Sequence, residues 1–378
     1  MNVEPFAVTV PPGVLDDLRT RIRNTRWPGP SPAAGWEQGT ELGWLRDLLA
    51  YWAVGFDWPA RERELNRFAH FRAELDGVRI HFVHERARDG AGIPLVLCHG
   101  WPSTFAELLP LVPLLTEPES GPSFDVVIPS LPGYPFSERP ARTGVTVRGT
   151  AALWHQLMRG LGYERYGAQG GDFGAGVASW MALDNPAPMI GLYLSNLELA
   201  PWLGEGSRPL TGAERAYADR QREWDSVERG YSSIQSTKPQ TVGYALNDSP
   251  AGLAAWVLEK WRSWTDSGGD LDGHLSRDFL LTMLTLFWAS GSFTETLRDY
   301  WDNRWHGDPI GPGDFVHVPT GFGGFDNHLV PEGEPPREWV ERLYDVRRFT
   351  PMPSGGHFAA AEEPERVARD IGAFFAAL

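Results

Sequence analysis

Four short apolar runs alternate with segments of helical pattern along the first half of this 378-residue chain. The runs are IPLVLCHGWP, FDVVIPSLPGYPFS, RYGAQGGDFG and MIGLYLSNLEL. A continuous apolar run of this length is typical of a strand buried on both faces of a parallel sheet. Helical patterns separate the runs at 104–115, 146–162 and 174–184. This alternation predicts an α/β domain with a mostly parallel sheet.

The alternation is interrupted once. Residues 201–305 have a helical pattern. The segment DFVHVPTGFGG then predicts a further strand, and a last strand and a last helix follow it. The predicted organisation is an N-terminal region at 1–70, a first part of the α/β core at 71–200, a helical insertion at 201–305 and the rest of the core at 306–378. At 378 residues the chain suits one large domain with an insertion.

Composition excludes some function classes. The net charge is −15 and no long basic run occurs, which argues against a nucleic-acid partner. A single cysteine, Cys98, excludes an internal disulfide and suits the reducing cytoplasm. We expect no signal peptide and no membrane anchor, because no uncharged apolar run approaches the ~20 residues of a membrane helix.

One carboxylate, Asp172, stands among glycines in YGAQGGDFGAGVASW. Small residues at 170 and 174 flank it in the order strand, turn, helix, which is the nucleophile-elbow pattern with aspartate in place of serine. Glycines permit such a sharp turn. An equally good interpretation is an aspartate that caps the following helix. The motif alone leaves both interpretations open.

Two further motifs follow the expected order of such a site. CHGWPST ends a buried strand, and the loop after this strand supplies one amide of an oxyanion hole, while the residue after the nucleophile supplies the other. This assigns the amides of Trp101 and Phe173, although HGWP could be a plain turn. In PSGGHFAAAEEPE, His357 lies between the last strand and the last helix, where a catalytic base is expected. A structural histidine is the alternative.

These motifs resemble the microsomal-type epoxide hydrolases, and the resemblance spans nearly the whole chain. HGWP, GGDFG and GGHFAAAEEPE are similar to that family's oxyanion, nucleophile and histidine motifs, and FAVTVPPGVLDDLRTRIRNTRWP is similar to its N-terminal meander. GYSSIQSTKPQTVGYALNDSPAGLAAWVLEKWRSWTD, at 230–266, is similar to its cap over a long block. The resemblance implies an α/β-hydrolase fold with an inserted helical cap and an N-terminal meander.

The resemblance also implies a first chemical step. Asp172 would attack an epoxide carbon and form an alkyl ester. An aspartate is ionised near pH 7, so it needs no base to activate it. By motif, the two cap tyrosines that protonate the epoxide oxygen would be Tyr231 and Tyr300, because a neutral phenol can donate a proton. Tyrosines of the protein core are the alternative.

In the implied second step, His357 would activate a water that attacks the ester of Asp172. The Trp101 and Phe173 amides would then hold the oxyanion. No metal or organic cofactor is expected, because no metal-ligand or nucleotide-binding motif occurs.

The sequence departs from the family at the acid that should orient His357. The family's acidic position aligns with His328, in FDNHLVPEGEPP. Asp326 could take this role, and Glu332 and Glu334 are weaker candidates. Otherwise the triad is incomplete and the ester is released slowly, or the scaffold serves another reaction.

Three functions are compatible with these observations. The first is an epoxide hydrolase making vicinal diols, with an apolar or aromatic epoxide as substrate and a homodimer as a possible assembly. The second is an aspartate-nucleophile dehalogenase, against which Tyr231 and Tyr300 argue. The third is a hydrolase-like binding protein that has lost turnover, for which position 328 is the only support.

Overall fold

The computed structural model describes residues 1–325 and 334–378. Within them, nine strands form one sheet in the order β1-β2-β3-β5-β4-β6-β7-β8-β9. The strands β5, β4, β6, β7, β8 and β9 pair in parallel, and β1, β2, β3 and β5 pair antiparallel. The mostly parallel sheet is therefore confirmed. The strands are β1 Val3–Phe6, β2 His70–Leu75, β3 Val78–Glu85, β4 Ile93–Cys98, β5 Phe124–Pro129, β6 Tyr166–Gly170, β7 Met189–Leu194, β8 Val316–Phe325 and β9 Tyr344–Met352.

Helices lie between β1 and β2, in every crossover between parallel strands, and after β9. They are α1 Pro12–Arg23, α2 Leu42–Val54, α3 Trp58–Leu65, α4 Leu111–Thr116, α5 Val147–Gly160, α6 Phe173–Asp184, α7 Gly212–Glu228, α8 Gly230–Gln235, α9 Pro239–Asp248, α10 Pro250–Trp264, α11 Leu271–His274, α12 Arg277–Ser290, α13 Phe293–His306, α14 Arg337–Val340, α15 Ala359–Glu362 and α16 Pro364–Phe375. A short 3₁₀ helix spans Phe105–Leu108. None of the helices described is long and apolar enough to cross a membrane.

The central strands are buried because helices lie against both faces of the sheet. Leu95, Val96 and Leu97 of β4 are fully buried, which is why their sequence is continuously apolar. The helix α6 after β6 is buried almost along its whole length, whereas α16 buries only one face. The hairpin between β2 and β3 turns at Asp76 and Gly77, both with positive φ, as the sequence predicts.

The strand β1 is absent from the sequence prediction. Its sequence, VEPF, has four residues and no clear alternation, and its pairing with β2 places it at the edge of the sheet. An edge position tolerates the proline, which cannot donate to a neighbouring strand.

Seven helices, α7 to α13, lie between β7 and β8, and the N-terminal helices pack against this segment. The indole Nε1 of Trp52 in α2 donates to the Thr285 hydroxyl of α12 at 3.0 Å, in the buried interface. The Tyr51 hydroxyl donates to Asp278 at 2.7 Å, and the Trp44 indole donates to Asp272 at 3.1 Å. These contacts tie α2 to α11 and α12.

Candidate active site

Asp172 occupies the turn between β6 and α6 with a backbone conformation that is rare for a residue with a side chain. Its φ is 53° and its ψ is −135°. A Cβ on Gly170 would come within 2.2 Å of the Gly174 carbonyl oxygen, and one on Gly174 within 2.1 Å of the Cys98 carbonyl oxygen. The glycines are therefore required by close backbone approach, and the packed turn maintains the strained conformation of Asp172.

One carboxylate oxygen of Asp172 is held by two backbone amides. Oδ1 accepts from the Trp101 N–H at 2.8 Å and from the Phe173 N–H at 2.6 Å. These are the two amides that the sequence assigns to an oxyanion hole. Asp172 is also the residue that caps α6, so the capping geometry and the elbow geometry coexist. Its own N–H donates to Asn196 Oδ1 at 2.6 Å, which anchors the turn to the end of β7.

The other carboxylate oxygen faces His357. The distance from Asp172 Oδ2 to His357 Nε2 is 3.3 Å, and the imidazole is largely buried. The ring centroid of His357 lies 4.9 Å from that of Trp264 and 4.9 Å from that of Phe358. The two oxygens of Asp172 thus have different partners, amides on one side and an imidazole on the other.

The loop that carries His357 is tied to the end of α10. The His357 N–H donates to the Trp264 carbonyl at 2.9 Å, and the Gly355 N–H donates to Asp266 at 3.0 Å. The Glu362 carboxylate accepts from the Asp266 N–H at 2.7 Å and contacts His274 Nε2 at 3.0 Å. The helical segment therefore fixes the position of His357 as well as covering it.

The two tyrosines from the sequence analysis lie together above the elbow. The ring centroids of Tyr231 and Tyr300 are 5.8 Å apart, and the Tyr300 ring packs edge-on against Phe173 at 4.9 Å. Burial, the neighbouring Tyr231 and the charge of Asp172 raise the pKa of Tyr300 well above 10. Its phenol is therefore neutral, and can donate a hydrogen bond, throughout the physiological pH range.

A cavity of about 370 Å³ joins these groups. Asp172, His357, Tyr231 and Tyr300 all line it. Its buried walls include Phe173, Trp224, Trp264 and Leu197, whereas its exposed lining residues are all polar. Those exposed residues are Glu198, Arg229, Ser233 and Arg304. The cavity therefore has aromatic walls in its interior and a polar, charged mouth.

Arg139 anchors the helix that carries Tyr300, and the sequence analysis missed it. Its guanidinium donates to Asp299 at 2.5 Å and to Asp302 at 2.6 Å, and all three side chains are nearly buried. Burial and the nearby Asp302 raise the pKa of Asp299 to about 6 against the opposing charge of Arg139. An arginine in the loop after β5 carries no local signal, since its partners lie about 160 residues away.

Asp326, His328 and Glu332 lie outside the described residues. The last residue of β8, Phe325, packs beside Gly355, because a Cβ on Gly355 would come within 2.9 Å of the Phe325 ring. The end of β8 thus approaches the loop of His357. Glu334 is described, and its carbonyl accepts from Arg220 at 3.4 Å. Among residues 1–325 and 334–378, no group of three or more His, Cys, Asp or Glu side chains is placed to hold a metal ion.

An acidic residue at a strained strand-to-helix turn, two amides on its carboxylate and a histidine after the last strand together define an α/β-hydrolase. The sequence profile described as "Epoxide hydrolase N terminus" matches residues 3–108, and the one described as "alpha/beta hydrolase fold" matches residues 93–262. The epoxide hydrolase 1 of Oryctolagus cuniculus is 37% identical over 99% of this chain and 88% of its own. The chain belongs to the epoxide hydrolase family.

Solved structures agree with this assignment. The juvenile hormone epoxide hydrolase of the silkworm Bombyx mori superposes with a TM-score of 0.85, at 31% identity over 99% of this chain and 94% of its own. The epoxide hydrolase of Aspergillus niger superposes with a TM-score of 0.84, at 31% identity over 99% of this chain and 96% of its own. The similarity to the relatives covers the α/β core, the helical segment and the N-terminal region together.

Proposed function

We propose that the protein hydrolyses an epoxide to a vicinal diol through a covalent ester on Asp172. The observation that carries this proposal is that the two carboxylate oxygens of Asp172 have different partners. Oδ1 is held by two amides, and Oδ2 lies 3.3 Å from His357 in a cavity shared with two tyrosines. An ionised carboxylate in this setting is a nucleophile toward a strained carbon.

In the first step Oδ2 of Asp172 attacks an epoxide carbon and the carbon–oxygen bond of the ring breaks. Negative charge develops on the departing oxygen, so a proton donor must lie on the opposite side of the substrate. Tyr231 and Tyr300 are the donors in this proposal. Their support is their shared position over Asp172 and, for Tyr300, the raised pKa that keeps its phenol protonated.

In the second step His357 takes a proton from water as the water attacks the ester carbon of Asp172. The carbonyl oxygen of the ester is Oδ1, which already accepts from the Trp101 and Phe173 amides. These donors are in place before charge develops, so they stabilise the oxyanion without reorganisation. The tetrahedral intermediate then expels the diol oxygen, which takes the proton back from His357.

We assign the role of orienting His357 to Asp326. Asp326 follows Phe325 directly in the chain, and Phe325 packs beside Gly355, two residues before His357. A carboxylate that accepts the imidazole N–H stabilises the imidazolium, which the histidine at 328 cannot do in the same way.

For the substrate, we propose an epoxide with an aryl or other apolar group. Three aromatic side chains and Leu197 make up most of the buried wall, beside the polar Asn196 and Ser236, so an apolar substituent would be buried mainly against apolar groups. The exposed lining is polar, so a polar group at the far end of the substrate is compatible with the mouth. Styrene oxide should react faster than a small aliphatic epoxide, and activity on aliphatic epoxides alone would count against this substrate class.

The test is a single turnover of styrene oxide in ¹⁸O-water, read by mass spectrometry. The first diol should be unlabelled, because its new oxygen comes from Asp172, and the peptide holding Asp172 should gain one ¹⁸O. Asp172→Asn should form no ester, whereas Asp184→Asn, at the other end of α6, should behave as the wild type. Labelled diol with no ester, and full activity in Asp172→Asn, would refute the mechanism. Halide release from a haloalkane without any epoxide turnover would favour a dehalogenase instead.

A further inference from the structure

A second, much smaller cavity adjoins Asp172 and His357. It measures about 20 Å³. Asp172 and His357 line both cavities, but the tyrosines line only the large one, and Glu107 and Gln169 line only the small one. The Asp172–His357 pair therefore separates a substrate-sized space from a space that fits about one water molecule.

Gln169 brings an unpaired polar atom to this small cavity. It lies in β6, three residues before Asp172, and its exposure is 3%. Its side-chain Oε1 has no hydrogen-bond partner among the residues that the structure describes. A buried amide oxygen without a partner is costly, and such groups in protein interiors are commonly bonded to an ordered water.

Glu107 brings a buried carboxyl group to the same cavity. It belongs to the 3₁₀ helix that follows the HGWP loop, and it is 8% exposed. Burial raises the pKa of Glu107 to about 7, against a hydrogen bond from Ser103 and the charge of His357, which both lower it. Near neutral pH this carboxyl can therefore accept a hydrogen bond from water, and its negative charge favours a positively charged His357.

We propose that Glu107 and Gln169 are positioning residues that hold the hydrolytic water in this small cavity, beside the ester carbon of Asp172 and the imidazole of His357. The inference rests on the proposed covalent mechanism. The water would lie on the side of the carboxylate away from the tyrosines, so the bound alkyl group would not block it. A polar lining with acceptors for the water's hydrogens is what a bound water requires.

The water oxygen forms a bond to Cγ of Asp172, one of its protons moves to His357, and the other proton stays hydrogen-bonded to Glu107 or Gln169. The electron pair of the carbonyl moves to Oδ1. When it returns, the bond between Cγ and the ester oxygen breaks, the diol leaves with the proton from His357, and Asp172 keeps one oxygen from water. The second water proton, left on Asp172, replaces the proton that a tyrosine gave to the epoxide oxygen, so the carboxylate and the phenol are both restored.

The experiment separates ester formation from ester hydrolysis. Wild type, Glu107→Gln and Gln169→Met would be mixed rapidly with styrene oxide, quenched with acid, and weighed as intact proteins. Both substitutions nearly preserve side-chain volume. Ester should form within about twofold of the wild-type rate, and its hydrolysis should slow at least about tenfold, toward the hundredfold that displacing a reactant can cost.

Thr104→Val is the matched control. Thr104 caps the same 3₁₀ helix, through its contact with the Ala106 N–H, but it does not line the small cavity. A loss of helix geometry would slow the reaction in Thr104→Val and in Glu107→Gln alike. A lost water contact would slow ester hydrolysis only in the cavity variants, Glu107→Gln and Gln169→Met.

Hydrolysis at the wild-type rate in both cavity variants, with normal ester formation, would overturn this inference and leave the covalent mechanism standing. Equal slowing of both steps in the cavity variants and in Thr104→Val would also overturn it, because that pattern is structural. Absence of any ester in the wild type and in His357→Ala would instead overturn the proposed function, and this inference with it.

Discussion

The indole of Trp101 lies parallel to the phenol ring of Tyr231, with ring centroids 5.2 Å apart and planes 6° from parallel. Trp101 also gives its backbone amide to Asp172 Oδ1. One residue of the loop after β4 therefore contacts both the candidate nucleophile and a candidate acid from the helical segment. Lys260 lies on the same ring of Tyr231, with Nζ 5.0 Å from the ring centroid. Packing on Trp101 thus sets where Tyr231 stands relative to Asp172.

Tyr231→Phe and Tyr300→Phe should each slow ester formation and leave ester hydrolysis unchanged. Each substitution removes one phenolic proton and keeps the ring and its aromatic contacts. The loss of a general acid typically costs 10²–10⁴-fold in rate, and we expect the lower part of that range while one tyrosine remains. The double variant should form almost no ester. Rapid-quench mass spectrometry measures both steps. Slower hydrolysis with normal ester formation would assign the tyrosines to a different role.

The sequence predicts the parts of this site that follow from local pattern. Asp172, Trp101, Phe173 and His357 each follow a strand in a glycine-containing turn, and the carboxyl ends of parallel strands meet at one edge of the sheet. The structure brings these four residues together around the carboxylate of Asp172.

The remaining groups depend on contacts that no local pattern records. In the sequence, Gln169 is a single polar residue within a buried strand. Glu107 has the position of a residue on the polar face of a short helix. Only the pairing of β4 with β6 and the loop of His357 place them around one cavity. The role of Arg139 likewise becomes visible only in the fold, where α13 packs over the loop after β5 and brings its partners to it.

Arg139→Met should strongly destabilise the protein. The substitution keeps an unbranched side chain but leaves Asp299 and Asp302 buried without their counter-charge, and breaking a buried ion pair in this way typically costs about 3–5 kcal/mol. Denaturant unfolding measures the change in free energy. Arg148→Met, which breaks the exposed pairs with Asp184 and Asp308, is the control and should cost under about 1 kcal/mol. Equal costs for the two variants would contradict the importance of the buried network.

His274 should make stability depend on pH. The hydrogen bond and charge of Glu362 raise the pKa of His274 above its unfolded value of 6.5. A raised pKa in the folded state means that the contribution is fully present below pH 6.5 and is lost as the pH rises through the folded pKa. His274→Gln should therefore be less stable than wild type in mild acid, by about 1 kcal/mol or less, and equal to it in alkali. A difference in unfolding free energy between wild type and His274→Gln that grows with pH would contradict this assignment.

Asp326→Asn tests the residue proposed to orient His357. The first step does not use the histidine, so ester formation should be unchanged, while ester hydrolysis should fall by up to about 10⁴-fold, the effect known for the same exchange in a serine-protease triad. Adding His328→Glu to this variant places a carboxylate at the position the family resemblance indicates, and should restore part of the lost rate. Glu334→Gln is the control and should hydrolyse the ester as wild type does. If Asp326→Asn hydrolyses its ester at the wild-type rate, Asp326 is not the acid. If Glu334→Gln is the slow variant, the assignment moves to Glu334.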